Sequence, residues 1–252
     1  MKIKNIFAAL LLLVSTSLVS CASDDSTPSF PADKTYDMTG FARGADVSWI
    51  TEMEKSGKKF YNAAGKEMDC MTLLRDLGVN SIRLRVWVNP SDGWCGKQDV
   101  IAKAIRANNL GMRIMIDFHY SDSWADPGKQ YKPKAWEGKT VDELKTAIAD
   151  HTTDVLSALK DKGITPEWIQ IGNETRSGML WDADATISGA AYDVTVGDVT
   201  YKKNIANYAA FLNAGSAAAR SIFPKAKLIV HTDNAYAPPP PHSTPGILKD
   251  ST

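Results

Sequence analysis

Ser81-Ile82-Arg83-Leu84-Arg85-Val86-Trp87-Val88 alternates between two kinds of side chain. Successive side chains of a strand point to opposite faces. Ile82, Leu84, Val86 and Val88 therefore line one face, and Arg83, Arg85 and Trp87 the other. Two guanidinium groups on an inward face require partners, and the neighbouring strands are where to look for them. Residues 112–119 repeat the arrangement, with Ile114, Ile116 and Phe118 on one face and Met115, Asp117 and His119 on the other. A later run puts His231 and Asp233 in phase. Cations on one strand and carboxylates on others would pair across such an interior, either as a structural network or as the polar floor of a catalytic centre.

Working outward from about residue 38, short β-like runs alternate with longer helical segments. Strands are expected over residues 40–48, 81–88, 112–119, 167–172 and 227–232. Helices are expected over 67–77, 96–109, 141–162 and about 201–222, with Gly78 and Gly163 as stops. This is the pattern of a parallel sheet covered by helices, an α/β chain that reads as the first five strand–helix units of a (β/α)8 TIM barrel. Five units of about 39 residues fill the stretch, and eight would need about 310, more than the 252 here. Ala235-Tyr236-Ala237-Pro238-Pro239-Pro240-Pro241-His242 cannot continue a helix or a central strand, because proline supplies no backbone donor. It reads as a foreign or out-of-frame end, or as a natural proline-rich linker. The expected organisation is a signal segment over 1–21, a flexible tether over 22–37, one partial barrel over 38–234 and a proline-rich tail over 235–252.

Charged residues make up 23% and hydrophobic ones 44%, enough to build a core and too ordinary for a disordered chain. Twenty-nine basic and 29 acidic residues cancel with no basic stripe, which argues against a nucleic-acid partner. The apolar run from Ile6 to Val14 follows the basic start Met1-Lys2-Ile3-Lys4 and is too short for the roughly 20 residues of a bilayer span, so it reads as an export signal. Leu18-Val19-Ser20-Cys21 resembles a bacterial lipobox, with Cys21 as the lipidated residue; the bland alternative is a secretory signal with a chance cysteine. The expected location is thus the bacterial outer membrane, reached through a lipid anchor, with Asp24-Asp25 pointing towards the cell surface. Of the other cysteines, Cys70 and Cys95, a disulfide is left open. The four histidines lack ligand spacing, so neither metal nor cofactor is expected.

Trp168-Ile169-Gln170-Ile171-Gly172-Asn173-Glu174 is a buried strand ending in an amide and a carboxylate. Barrel enzymes keep their active sites at that C-terminal mouth. Glycoside hydrolysis needs one carboxyl group held protonated for the leaving oxygen, a state that an apolar wall favours. Glu174 fits the role of acid, and Asn173 that of a hydrogen-bonding partner for an adjacent sugar hydroxyl. The bland alternative is a solvated loop glutamate.

Five ordered stretches together resemble glycoside hydrolase family 53, the arabinogalactan endo-β-1,4-galactanases. They are Gly44-Ala45-Asp46-Val47-Ser48-Trp49; Gly78 to Pro90 through Arg83-Leu84-Arg85-Val86-Trp87; Ile116-Asp117-Phe118-His119-Tyr120-Ser121-Asp122-Ser123-Trp124-Ala125-Asp126-Pro127-Gly128; Ile171-Gly172-Asn173-Glu174; and His231-Thr232-Asp233-Asn234. The resemblance implies a (β/α)8 barrel that cleaves internal β-1,4-galactosidic bonds in the galactan side chains of pectin with retention. Retention uses two carboxyl groups about 5 to 5.5 Å apart. By position Glu174 is the acid/base, and Arg83 matches an arginine kept near the nucleophile. Trp87, Trp124 and Trp181 are candidates for stacking on galactose, with Asp46, His119, Asn173 and His231 as polar contacts. The family nucleophile is a Glu on the seventh strand, and no Glu follows Glu174 here. The expectation is an incomplete galactanase, inactive by itself and monomeric if complete. The competing readings are another retaining glycosidase of the same clan, a mannanase or glucanase, and a non-catalytic glycan-binding surface lipoprotein.

Overall fold

A computed structural model describes residues 36–182 and 201–233. Among these residues five parallel strands form one sheet in the order β1 (Gly44–Asp46), β4 (Ser81–Val86), β5 (Arg113–Phe118), β6 (Trp168–Ile171) and β7 (Lys227–Ile229). Between them lie α1 (Ile50–Lys55), a small antiparallel hairpin of β2 (Phe60–Tyr61) and β3 (Glu67–Met68), α2 (Cys70–Asp76), α3 (Lys97–Asn109), α4 (Val141–Asp161) and α5 (Tyr201–Ile222). Single 3-10 turns occupy Lys134–Trp136 and Thr175–Ser177.

The alternation read in the sequence is the physical basis of the sheet. Ile82, Leu84, Ile114, Ile116, Phe118, Ile169 and Ile171 are all buried, on the face covered by α3, α4 and α5. The opposite face carries Arg83, Arg85, Asp117 and Gln170, with Arg85, Asp117 and Gln170 in lateral register on three adjacent strands. Helices on one face and polar side chains on the other make this an arc of a (β/α) barrel: a doubly wound sheet would be apolar on both faces.

Local chemistry sets the ends of the helices. Thr140 and Glu143 form a reciprocal capping box at the start of α4, and Gly163 takes φ +72° immediately after it, as the sequence expects of a stop. The expected helix over 67–77 is shorter, because Asp69 caps the Thr72 N–H and begins α2 there. Glu67 and Met68 pair instead with Tyr61 and Phe60. The first and last strands are also shorter than expected: extended pairing in β1 is confined to Gly44–Asp46 and in β7 to Lys227–Ile229. At the N-terminal end of the sheet Glu167 ties strands together, accepting from Arg113 Nε at 2.6 Å and from Lys227 Nζ at 3.1 Å. Cys70 and Cys95 are both free thiols. Among the described residues no helix is long and apolar enough to cross a membrane. Cys21, residues 22–35 of the expected tether and the proline-rich segment lie outside the described residues.

Candidate active site

Arg83 is the hub of the polar face. Its Nη1 reaches Asp46 Oδ2 at 2.6 Å, and its Nη2 reaches Asp117 Oδ2 at 2.6 Å, Asn173 Oδ1 at 2.9 Å and Gln170 Oε1 at 3.2 Å. Side chains from three strands and one strand end thus converge on a single guanidinium, whose fork geometry suits several acceptors at once. Asp117 is wholly buried. Its second oxygen accepts from Gln170 Nε2, so both lone-pair faces are used. Burial pushes the Asp46 carboxyl up, but the hydrogen bonds from Ser48 and the charge of Arg83 outweigh it and hold the group below its ordinary value.

Asn173 follows β6 and is shared between neighbours. Its Oδ1 accepts from Arg83 and from Gln170 Nε2 at 3.2 Å, and lies 2.9 Å from His231 Nδ1; its Nδ2 donates to the Ala125 carbonyl at 2.9 Å. The amide oxygen and one of the two amide N–H donors are thereby engaged. Glu174 comes next in a left-handed conformation, φ 49° and ψ 46°, that a residue with a Cβ adopts at a cost. Buried Gln130 secures this turn: its Nε2 donates to the carbonyls of Asn173 and Glu174 at 2.7 and 3.2 Å. With its backbone clamped in this way, the half-buried Glu174 side chain is left at the mouth of the arc.

His119 joins this floor to an aromatic wall. The Ala125 N–H donates to its Nδ1 at 3.1 Å, so the ring proton sits on Nε2, 3.1 Å from Asp117 Oδ2. Trp87 packs edge-on against His119, with Nε1 3.4 Å from Nδ1. Trp124 stands 6.1 Å from Trp87 and 5.8 Å from His119 between ring centroids. Arg85 behaves differently from Arg83. No carboxylate reaches it among the described residues; its guanidinium lies 3.8 Å from the Trp124 centroid and 4.7 Å from that of Trp87.

The structure thus brings together Asp46, Arg83, Trp87, His119, Trp124, Asn173, Glu174 and His231. Trp181 is different: it is fully buried, packs edge-on against Tyr131 and donates Nε1 to the Ser177 carbonyl at 3.1 Å. With both faces covered, the ring has no surface to offer a sugar. Asp233 pairs with Arg176 at 3.0 Å and not with the strand arginines, so of the two carboxylates expected to pair across the interior Asp117 does so and Asp233 does not, and among the described residues Asp46 of β1 joins Asp117 on Arg83. Gln170, Gln130 and Trp49 were not singled out in the sequence. Gln170 was legible, since it alternates with Ile169 and Ile171. Gln130 carried no signal, because its role depends on a loop crossing the end of β6. No group of three or more His, Cys, Asp and Glu among the described residues is arranged to hold a metal ion.

Residues 42–239 match the sequence profile of Glycosyl hydrolase family 53. Among curated proteins the chain is similar to an arabinogalactan endo-β-1,4-galactanase of Thermothelomyces thermophilus, 36% identical over 77% of this chain and 54% of that protein. It is also similar to an endo-β-1,4-galactanase of Bacillus subtilis, 40% identical over 58% of this chain and 36% of the other. A solved family 53 catalytic domain from Ignisphaera aggregans superimposes with a TM-score of 0.66 at 34% identity, covering 81% of this chain and 53% of that one. The chain spans about half the length, or less, of these relatives.

Proposed function

The chain belongs to glycosyl hydrolase family 53, and from that premise we propose that its polar face takes part in the endo-hydrolysis of β-1,4-galactosidic bonds in galactan, including the arabinogalactan side chains of pectin. The observation that carries this reading is the convergence of Asp46, Asp117, Gln170 and Asn173 on Arg83 beside the clamped Glu174 turn. Glu174 is the acid/base. It protonates the leaving glycosidic oxygen and later activates the incoming water. Asn173, with its amide oriented by four neighbours, holds the hydroxyl next to the reacting carbon. Arg83, His119 and His231 keep that amide and the Asp117 carboxylate in place. The retaining mechanism calls for a second carboxylate as nucleophile, which the family resemblance assigns to the seventh barrel strand.

One observation favours a second reading, a protein that binds the glycan without cutting it. Asp46 and Asp117 already serve Arg83, and Asp233 serves Arg176, so these three carboxylates are engaged. Affinity electrophoresis and reducing-sugar release on β-1,4-galactan, mannan and glucan separate the readings. Galactan-selective binding with cleavage that is lost in Glu174→Gln supports the galactanase; selective binding without cleavage supports the binding protein. Preference for mannan or glucan overturns the substrate, and cleavage unchanged in Glu174→Gln overturns the role of Glu174.

The reading extends to location. The protein is exported and held at the outer membrane through lipid on Cys21, acting as a monomer at the cell surface. Metabolic labelling with radioactive palmitate tests this, with label expected in the native chain and absent from Cys21→Ser.

A further inference from the structure

Lys103 is wholly buried in the middle of α3, a place that lysine almost never occupies without a partner. Its Nζ donates at 2.6 Å to Asp99 Oδ2, one turn earlier in the same helix. It also donates at 2.6 Å to the carbonyl of Ser48, in the turn between β1 and α1. Asp99 has two further donors. Its Oδ2 accepts the Cys95 N–H at 2.7 Å, and its Oδ1 accepts the Thr51 hydroxyl at 2.6 Å. One ion pair therefore fastens three pieces of chain: the turn after β1, the loop after β4, and α3 itself. A buried ion pair contributes little net stability compared with apolar side chains of similar volume. What it supplies here is position.

Both tied segments lead to the polar face. Ser48 is 2% exposed; its N–H donates to Asp46 Oδ1 at 2.9 Å, and its Oγ accepts the Arg85 N–H of β4 at 2.8 Å. The other oxygen of Asp46 meets Arg83 at 2.6 Å. A single residue, Ser48, thus links the ion pair to the carboxylate at the hub. On the second segment, the Cys95 carbonyl accepts the Trp87 N–H at 2.8 Å where the chain leaves β4. Cys95 takes φ 60°, a left-handed conformation that its surroundings have to hold, and the Asp99 carboxylate does so through the Cys95 N–H.

We propose that Lys103 and Asp99 are positioning residues for the site: their ion pair fixes the Ser48 turn, and through it the Asp46 carboxylate, in the place where it meets Arg83. Neither residue is asked to touch substrate. The part of the inference that concerns ligand affinity rests on galactan being what the chain binds.

The test is the double variant Lys103→Met/Asp99→Asn of the full chain. It removes both charges and keeps close to the same volume, so no unpaired buried charge remains and the variant is expected to fold, which thermal melting checks. Because the two charges cancel, their joint removal hardly alters the field at Asp46. The titration of Asp46, followed by carboxyl NMR with Asp46→Asn as the assignment control, then reports the hydrogen bonds from Ser48. In the folded double variant Asp46 is expected to titrate higher than in the native chain, because a carboxylate that loses donors gives up part of what favours its charged form. β-1,4-Galactotetraose is expected to bind about fivefold more weakly by calorimetry. A lower melting temperature with the Asp46 titration and the affinity unchanged makes the pair a structural element only and overturns the proposal. Failure of the native chain to bind the tetraose overturns the galactan reading, and the Asp46 titration then decides the positioning role by itself. If the double variant does not fold, Thr51→Val, which deletes the hydroxyl donated to Asp99, is read in its place: a raised Asp46 titration supports the proposal and an unchanged one overturns it.

Discussion

The guanidinium of Arg83 and the carboxylate of Asp117 meet at 2.6 Å on the concave face of the sheet, with Asp117 wholly buried and Arg83 about a quarter exposed. The pair is tied laterally to Asp46 on one side and to Gln170 and Asn173 on the other. It therefore supports the site as a scaffold of charge, and whether it adds net stability is a separate matter.

Removing one member should be costly for that reason. Asp117→Ala takes one acceptor each from Arg83 and Gln170 and leaves the buried His119 Nε2 without its carboxylate, an expected loss of about 3 kcal/mol in urea unfolding. Asp46→Ala, at the exposed side of the same guanidinium, should cost under about 1 kcal/mol. Equal losses for the two would show that the depth of the pair does not matter.

The left-handed turn at Glu174 leads to a second expectation. A side chain at φ 49° carries strain that glycine would not. Glu174→Gly should therefore be more stable than Glu174→Ala by about 0.5–1 kcal/mol, although both delete the carboxylate. Chemical denaturation of the two variants checks this, and a more stable alanine variant would mean that the turn relaxes freely.

Much of this arrangement was legible in the chain because alternation is a strong signal where one face is apolar and the other charged. Arg83 and Asp117 followed from the period of two alone, and Asn173 and Glu174 from the end of an apolar strand. The hairpin escaped because strands of two residues, Phe60–Tyr61 and Glu67–Met68, carry no period. For α1, six residues are equally too few to show one. The resemblance offered Trp87, Trp124 and Trp181 for stacking without saying which of them are exposed. Trp181 is sealed by hydrogen bonds between its backbone and the strap at Gln130 and Lys132, whereas Trp49, in the turn entering α1, is left open. Those outcomes are set by loops that cross in space, and no local pattern encodes such crossings.

Gly215 marks a close approach of α5 to the sheet. A Cβ there would lie 2.6 Å from Tyr120 Oη and 2.9 Å from Ile171 Cγ2. Glycine to alanine within a helix ordinarily stabilises by about 1 kcal/mol. Here Gly215→Ala should have the opposite sign, costing about 1–3 kcal/mol as α5 is pushed away from Tyr120. A gain in melting temperature would show that the helix moves aside without penalty.

His151 gives the fold a pH dependence of its own. Its ring packs edge-on against Phe118, Tyr120 and Trp136, and its Nε2 is buried with no hydrogen-bond partner among the described residues. Burial pushes the imidazole down to about 4; Asp154 opposes that shift and Lys97 adds to it. In the unfolded chain the group titrates near its ordinary 6.5, so below that pH the unfolded state binds a proton that the folded state refuses. Stability should then fall as pH drops from about 6.5 to about 4 and this contribution should level off below, with a total of at most about 3 kcal/mol. His151→Phe removes the titrating group and keeps an aromatic ring, so the difference in urea midpoint between pH 7 and pH 4.5 should shrink relative to the native chain. An unchanged difference would assign the acid sensitivity to the carboxylates paired with Arg83 and Arg113.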